Sequence, residues 1–161
     1  MRPLHFFDFT IKYLISFTIL FLTVAPAISQ NKAVLTVKVD SIKTIDGRIY
    51  AAVYKNQDDF KNNRAIQREK KVVLKPEVAL SFLLPVNQTY SVALFQDLNN
   101  DEKLNTKGSM KIPDEPIGFS NNKPGKFGPP GFNKTSFVLK NDTTLFIHII
   151  SSKKEYLQNN H

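Results

Sequence analysis

The chain has no cysteine in its 161 residues, and that absence closes several routes at once. Disulfide staples, thiol nucleophiles, thiolate zinc sites, iron–sulfur clusters and lipid attachment at a cysteine are excluded. Stability must come from an ordinary packed core, with or without a metal. Histidine is nearly as scarce, with three copies. His5 falls in the first segment, His161 is the last residue of the sequence and His148 stands alone in an apolar strand pattern. No histidine zinc cluster and no Ser-His-Asp relay can be assembled from that set. Glycine is limited to six residues, five of them between 108 and 132. Long apolar runs are missing too: the longest, residues 13–24, has 12 residues, against the roughly 20 that span a bilayer. No window carries a 3.6-residue apolar stripe, so long amphipathic helices are not expected.

The first thirty residues read as an address. Arg2 and Lys12 flank a mixed segment, the apolar run YLISFTILFLTV follows, and APAISQ supplies small residues for cleavage. This is the pattern of a secretory signal peptide over 1–29, cut near Ser29-Gln30, with an uncleaved anchor as the alternative. The expectation is a secreted protein, periplasmic or extracellular, with no transmembrane segment after cleavage. Lysine and arginine number 22 against 14 acidic residues, a net +8. Such a charge suits anionic surfaces such as lipid headgroups or acidic polysaccharide. The lysines are spread along the chain rather than gathered among exposed aromatics, so no nucleic-acid partner is expected.

From residue 30 onward a period of two dominates. In AVLTVKVD, Leu35, Val37 and Val39 face one way and Thr36, Lys38 and Asp40 the other, as in a half-buried strand. Asp46-Gly47 suits a hairpin turn, and RIYAAVYK reads as the returning strand. Residues 56–71 break the alternation with a polar connector holding one short helical turn around 60–66. Further strands are expected over 71–75, 79–84, 89–96, 135–140 and 143–150, followed by a polar tail over 151–161. The fold expected is all-β: an antiparallel, seven-stranded Ig-like or transthyretin-like sandwich over 30–150. One long Gly/Pro-rich connection, 97–133, interrupts the rhythm. Five of the nine prolines lie within its 108–132 portion. Its apolar residues, among them Ile112, Ile117, Phe119 and Phe132, predict that it packs back on the sandwich.

At the start of that connection, Asp97, Asn99 and Asp101 recur at every second position. Side chains at alternate positions of a tight loop converge on one point, which suits a hard cation such as calcium and its six to eight oxygens. The expected ligands are Asp97, Asn99 and Asp101, the Lys103 carbonyl and Asn105, with Asp114 or Glu115 folding back to add a carboxylate. An EF-hand is excluded, since Glu102 stands where glycine is needed and Gly108 where the bidentate glutamate belongs. The competing reading is a polar turn, because Asx side chains cap turns and tolerate left-handed backbone. Other candidates carry less. Three sequons, at Asn87, Asn133 and Asn141, stand against the roughly one or two that chance would give among fourteen asparagines, so glycosylation is weakly signalled. Asp58 and Asp59 are adjacent and read as a solvated turn, and His148 reads as a surface strand residue.

Taken together, LPVNQTYSVALFQDLNNDEKLNT (84–106) and IPDEPIGFSNN (112–122) resemble the secreted bacterial family catalogued as domain of unknown function 2141. Its pattern joins a YAVAVFHD-like strand to an acidic DENGNGKLD loop and a GFSNN segment. The chain departs from it at Gln96, where histidine is usual, at Asp101, where asparagine is, and at Asn105, where a closing aspartate is. The resemblance implies a secreted β-sandwich similar to transthyretin-like or carboxypeptidase-regulatory-like domains, and no established activity. The function expected is a non-enzymatic accessory or binding module with a protein or glycan partner at the cell envelope. Two alternatives stand beside it: a small hydrolase, since some relatives of transthyretin-like folds open cyclic amides, and a structural component of an envelope assembly.

Overall fold

The computed structural model describes residues 31–109, 112–123, 125 and 129–150, so the expected leader and tail lie outside the described residues. The fold is mostly β. Its longer strands are β1 (Lys32–Asp40), β2 (Arg48–Tyr54), β3 (Gln67–Val72), β4 (Val78–Pro85), β5 (Gln88–Asp97) and β10 (Thr143–His148). Four short ones complete it: β6 (Thr106–Lys107), β7 (Ile112–Pro113), β8 (Ile117–Phe119) and β9 (Phe137–Leu139). Two short helices, α1 (Gln57–Lys61) and α2 (Phe132–Thr135), and a 3₁₀ turn at Ser120–Asn122 fill the connections.

Strand β6 pairs with β7 in a separate two-stranded sheet, and two larger sheets face each other. One has the order β10-β1-β4; the other runs β3-β2-β5-β8, with β9 also paired to β5. Period-two alternation decides what lies between them. Leu35, Val37 and Val39 of β1, Leu80 and Phe82 of β4, and Ile49, Val53, Val92 and Leu94 from the other sheet share one buried cluster. Complete burial of such a side chain contributes roughly 1.5–3 kcal/mol, so this layer is what holds the sheets together. Tyr90 is fully buried among them, and its hydroxyl donates to the Pro85 carbonyl at 2.9 Å.

Several expectations need correction. The sandwich is not wholly antiparallel: β1 and β10 run parallel, from Leu35↔Thr143 to Asp40↔His148. The cause is the crossing at residues 140–142. Strand β9 pairs with β5 in the second sheet, so β10 joins the first sheet by a crossover rather than a hairpin, and Asp142 Oδ1 caps the Val34 amide there at 2.8 Å. Asp46-Gly47 likewise turns no hairpin, since β1 and β2 belong to different sheets. Gly47 (φ +68) is needed there because a Cβ would lie 1.9 Å from the Asp97 carbonyl oxygen. The strand expected over 71–75 is instead β3, paired from Arg48↔Val72 to Val53↔Gln67. QREKKV shows no apolar alternation because β3 is an edge strand, and charge there discourages pairing with another chain. The helical turn expected around 60–66 lies earlier, at α1, where Asn56 Oδ1 accepts from the Asp59 amide as N-cap. Within 97–133, β6 to β8 bring the described strands to ten rather than seven.

Candidate functional site

The 98–105 loop leaves the end of β5 and is organised by two buried carboxylates. Asp97 is fully buried; its Oδ2 accepts from the Glu102 amide at 3.0 Å, and its Oδ1 has no partner. Glu115 folds back as expected, but as an anchor: its two oxygens accept from the amides of Leu98 (3.0 Å) and Asn105 (2.9 Å). The Asp114 carboxylate turns instead to Lys107 at 2.5 Å, while the Asp114 amide donates to the Asn105 carbonyl at 2.8 Å. Within the loop, Asn99 Oδ1 accepts from the Asp101 amide and Asp101 Oδ1 from the Lys103 amide, at 3.2 and 2.9 Å. The side-chain nitrogens of Asn99 and Asn105 both donate to Asp101 Oδ2 at 3.1 Å. Asn100 and Glu102 each take the left-handed conformation, φ 61. Glu102 thus adopts the backbone that a glycine would favour at its position. Among the described residues no three of His, Asp and Glu converge as a ready metal cluster.

Strand β8 and the 3₁₀ turn after it give four residues of the GFSNN segment their roles. Gly118 faces the core, where an added Cβ would meet Ile147 Cγ2 at 2.7 Å and Leu94 Cδ1 at 3.0 Å. Ser120 is fully buried; its hydroxyl accepts from the Val92 amide at 2.9 Å and donates to the Thr135 carbonyl at 2.5 Å. Asn121 (φ 62) turns the chain, and its amide donates to the Ser136 carbonyl at 3.0 Å. Asn122 bonds the open edge of β10, donating to the Phe146 carbonyl at 3.1 Å and accepting from the His148 amide at 2.9 Å. These are structural roles. Gln96, at the position where histidine is usual, is also a staple: its side-chain nitrogen donates to the carbonyls of Thr44 and Asp46 at 2.7 and 2.8 Å.

On the outer face of the larger sheet lies a groove of about 650 Å³. Its floor is low because Ala52 and Ala93 are register partners, with Phe119 next in line across β8. One wall is Tyr50 stacked on Phe95, centroids 5.3 Å apart and planes 14° from parallel. The other is Phe60, edge-on to Tyr54 at 5.1 Å and 6.4 Å from Phe119. Lys61, Arg68, Lys103, Asn63 and Glu102 form the rim, so the metal-like loop is one side of the groove. Lys70 bonds Glu102 at 3.0 Å and holds its carboxyl below the usual range, with Tyr50 adding to the effect. Burial first, and Glu102 second, push the Tyr50 phenol up.

Alternation alone reads Tyr50, Ala52 and Tyr54 as solvent-facing, and the groove is therefore not foreseen. The signal was three aromatics, Tyr50, Tyr54 and Phe95, on the face opposite the core. The remaining candidates lie elsewhere. Asp58 and Asp59 sit in the first turn of α1 rather than on extended chain, and both bond Arg64. The exposed His148 pairs with Asp40 at 2.5 Å, and all three sequon asparagines are exposed.

No described helix is long and apolar enough to cross a membrane. No curated protein and no solved structure matches the chain. A family does match, over residues 37–146, which takes in the core strands, the 98–105 loop, the groove and GFSNN. The chain belongs to the family described as an uncharacterized protein conserved in bacteria, DUF2141.

Proposed function

We propose that the chain is a secreted, non-enzymatic binding module that holds an acidic glycan of the cell envelope in the groove over Ala52 and Ala93. The observation that carries the reading is the pairing of flat aromatic walls with a rim of three cations, Lys61, Arg68 and Lys103, against one carboxylate already bonded to Lys70. Sugar rings present apolar faces that stack on aromatic side chains, while their hydroxyls and carboxylates need polar and cationic partners at the edge. The excess of basic over acidic residues favours the same class of ligand. Export through the 1–29 leader and kinship with Ig-like or transthyretin-like sandwiches belong to this reading; the two face-packed sheets support the second.

The test is calorimetric titration of polygalacturonate oligomers, with neutral dextran oligomers as control, into the protein and into Ala93→Leu. The substitution fills the floor at a half-buried position beside Ile117 and Phe119, away from the cluster between the sheets, so the melting temperature should stay within about 2 °C while affinity for the acidic oligomers falls at least about tenfold. Equal affinity in the two proteins would place the ligand elsewhere. Binding of exported peptides in place of glycans would keep the groove and change its occupant.

A further inference from the structure

We infer that the 97–105 loop is a calcium site built on Asp97, Asn99 and Asp101, the Lys103 carbonyl and Asn105, with Glu115 holding the loop's two ends rather than touching the ion. The argument begins with Asp97. Its carboxylate is completely buried, and one oxygen bonds the Glu102 amide, so the group is directed into the loop; the other oxygen is unpartnered. A buried carboxylate with an empty oxygen is unfavourable unless a positive charge stands opposite it. Two cations near it, Arg48 and Lys70, are engaged elsewhere. Arg48 is the cross-strand partner of Asp97, yet its guanidinium reaches Asn100 Oδ1 at 3.3 Å, and Lys70 bonds Glu102.

The rest of the donor set is chemically matched. All the donors are oxygens, which selects a hard cation over zinc, and the asparagine, carbonyl and aspartate mixture on a flexible loop suits calcium better than the strict octahedron of magnesium. Asp101 Oδ2 already gathers two amide N–H groups, from Asn99 and Asn105, which supply partial positive charge where a cation would supply more. Two carboxylates place the dissociation constant at about 10⁻⁴ to 10⁻³ M, the range of extracellular modules.

The probe is calcium chloride itself, so the outcome does not depend on the groove reading or its glycan. The purified protein is melted in 5 mM calcium, in 5 mM magnesium and in EDTA, and titrated with calcium by calorimetry, beside Asp97→Asn and Asp101→Asn. Calcium should raise the melting temperature by on the order of 5 °C, and magnesium by less. Asp97→Asn keeps an acceptor for the Glu102 amide and removes the unpaired charge; in EDTA it should melt at or above the wild type, and calcium should no longer shift it. Should Asp97→Asn fail to fold, the exposed Asp101→Asn carries the test with at least about a tenfold loss of affinity. No heat and no shift at 10 mM calcium, or a shift equal in wild type and variants, would overturn the site.

Discussion

Single residues of this chain are constrained most tightly where β8 meets the core. Gly118 has no room for a methyl group, because Ile147 and Leu94 occupy the space. Gly118→Ala should therefore cost about 1–3 kcal/mol through overpacking, seen as a lower urea midpoint with an unchanged slope. An unchanged midpoint would mean that β8 can move away from the sandwich at little cost. Close by, Ser91, Ser120 and Thr135 are all fully buried and all partnered: the Ser91 and Thr135 hydroxyls lie 2.7 Å apart, and the Ser120 hydroxyl bonds the Val92 amide of β5 and the Thr135 carbonyl of α2. A cluster of buried hydroxyls resembles a catalytic site in composition, yet every group is engaged in joining β5 to α2. The GFSNN segment is thus legible as a motif in the sequence, while its meaning as a clamp depends on contacts made far away in the chain.

At the scale of elements, the edges of the sheets are what the chain manages most visibly. Strand β3 carries Arg68, Glu69, Lys70 and Lys71, and Lys71 reaches across to the Ala79 carbonyl of β4 at 2.9 Å. The open edge of β10 is covered by the Asn122 amide in place of another strand. Asn122→Ala removes both bonds and should cost about 1 kcal/mol while leaving the Phe146 and His148 backbone bare. Hydrogen exchange at the His148 amide should quicken, and light scattering should show association at high protein concentration. Exchange as slow as in the wild type would assign the protection to something other than Asn122. The strands with apolar alternation, β1, β2, β4 and β5, were readable because burial on one face writes a period of two. Strand β3 was misplaced by several residues, since an edge strand buries no face, and β6 to β8 are too short to show any period.

For the molecule as a whole, titration offers a readout of how the groove side is built. The phenols of Tyr54 and Tyr90 are pushed up by burial, and that of Tyr50 by burial and Glu102. Lys70, bonded to Glu102, is also raised. Groups whose folded values are raised hold their protons more tightly in the folded state, so their contribution is complete below the unfolded values and is lost as pH rises through the folded ones. Stability should thus hold from pH 7 to about 9 and fall above about 10. Tyr54→Phe should lower the plateau, through loss of the 2.7 Å bond to Asn63, and soften the alkaline fall. Glu102 acts in the opposite direction: its lowered value contributes above the ordinary carboxylate range and is lost on acidification. A melting temperature unchanged up to pH 11 would remove these tyrosines from the account.

The sequence alone determined the class of structure and much of its chemistry by exclusion. Without cysteine, and with a lone strand histidine, the domain had to rest on a period-two apolar core, and that core is present in β1, β2, β4 and β5. The acidic loop was visible because Asp97, Asn99 and Asp101 stand at alternate positions, and the GFSNN segment because it resembles the family's own. What tertiary structure decided were the relations that no local pattern encodes: the parallel return of β10 beside β1, the burial of Asp97 with one oxygen unpaired, and the alignment of Ala52 with Ala93 under facing aromatics. Each depends on register between segments distant along the chain. Register is set by packing of the whole core, because a slip of one residue would send every side chain to the opposite face.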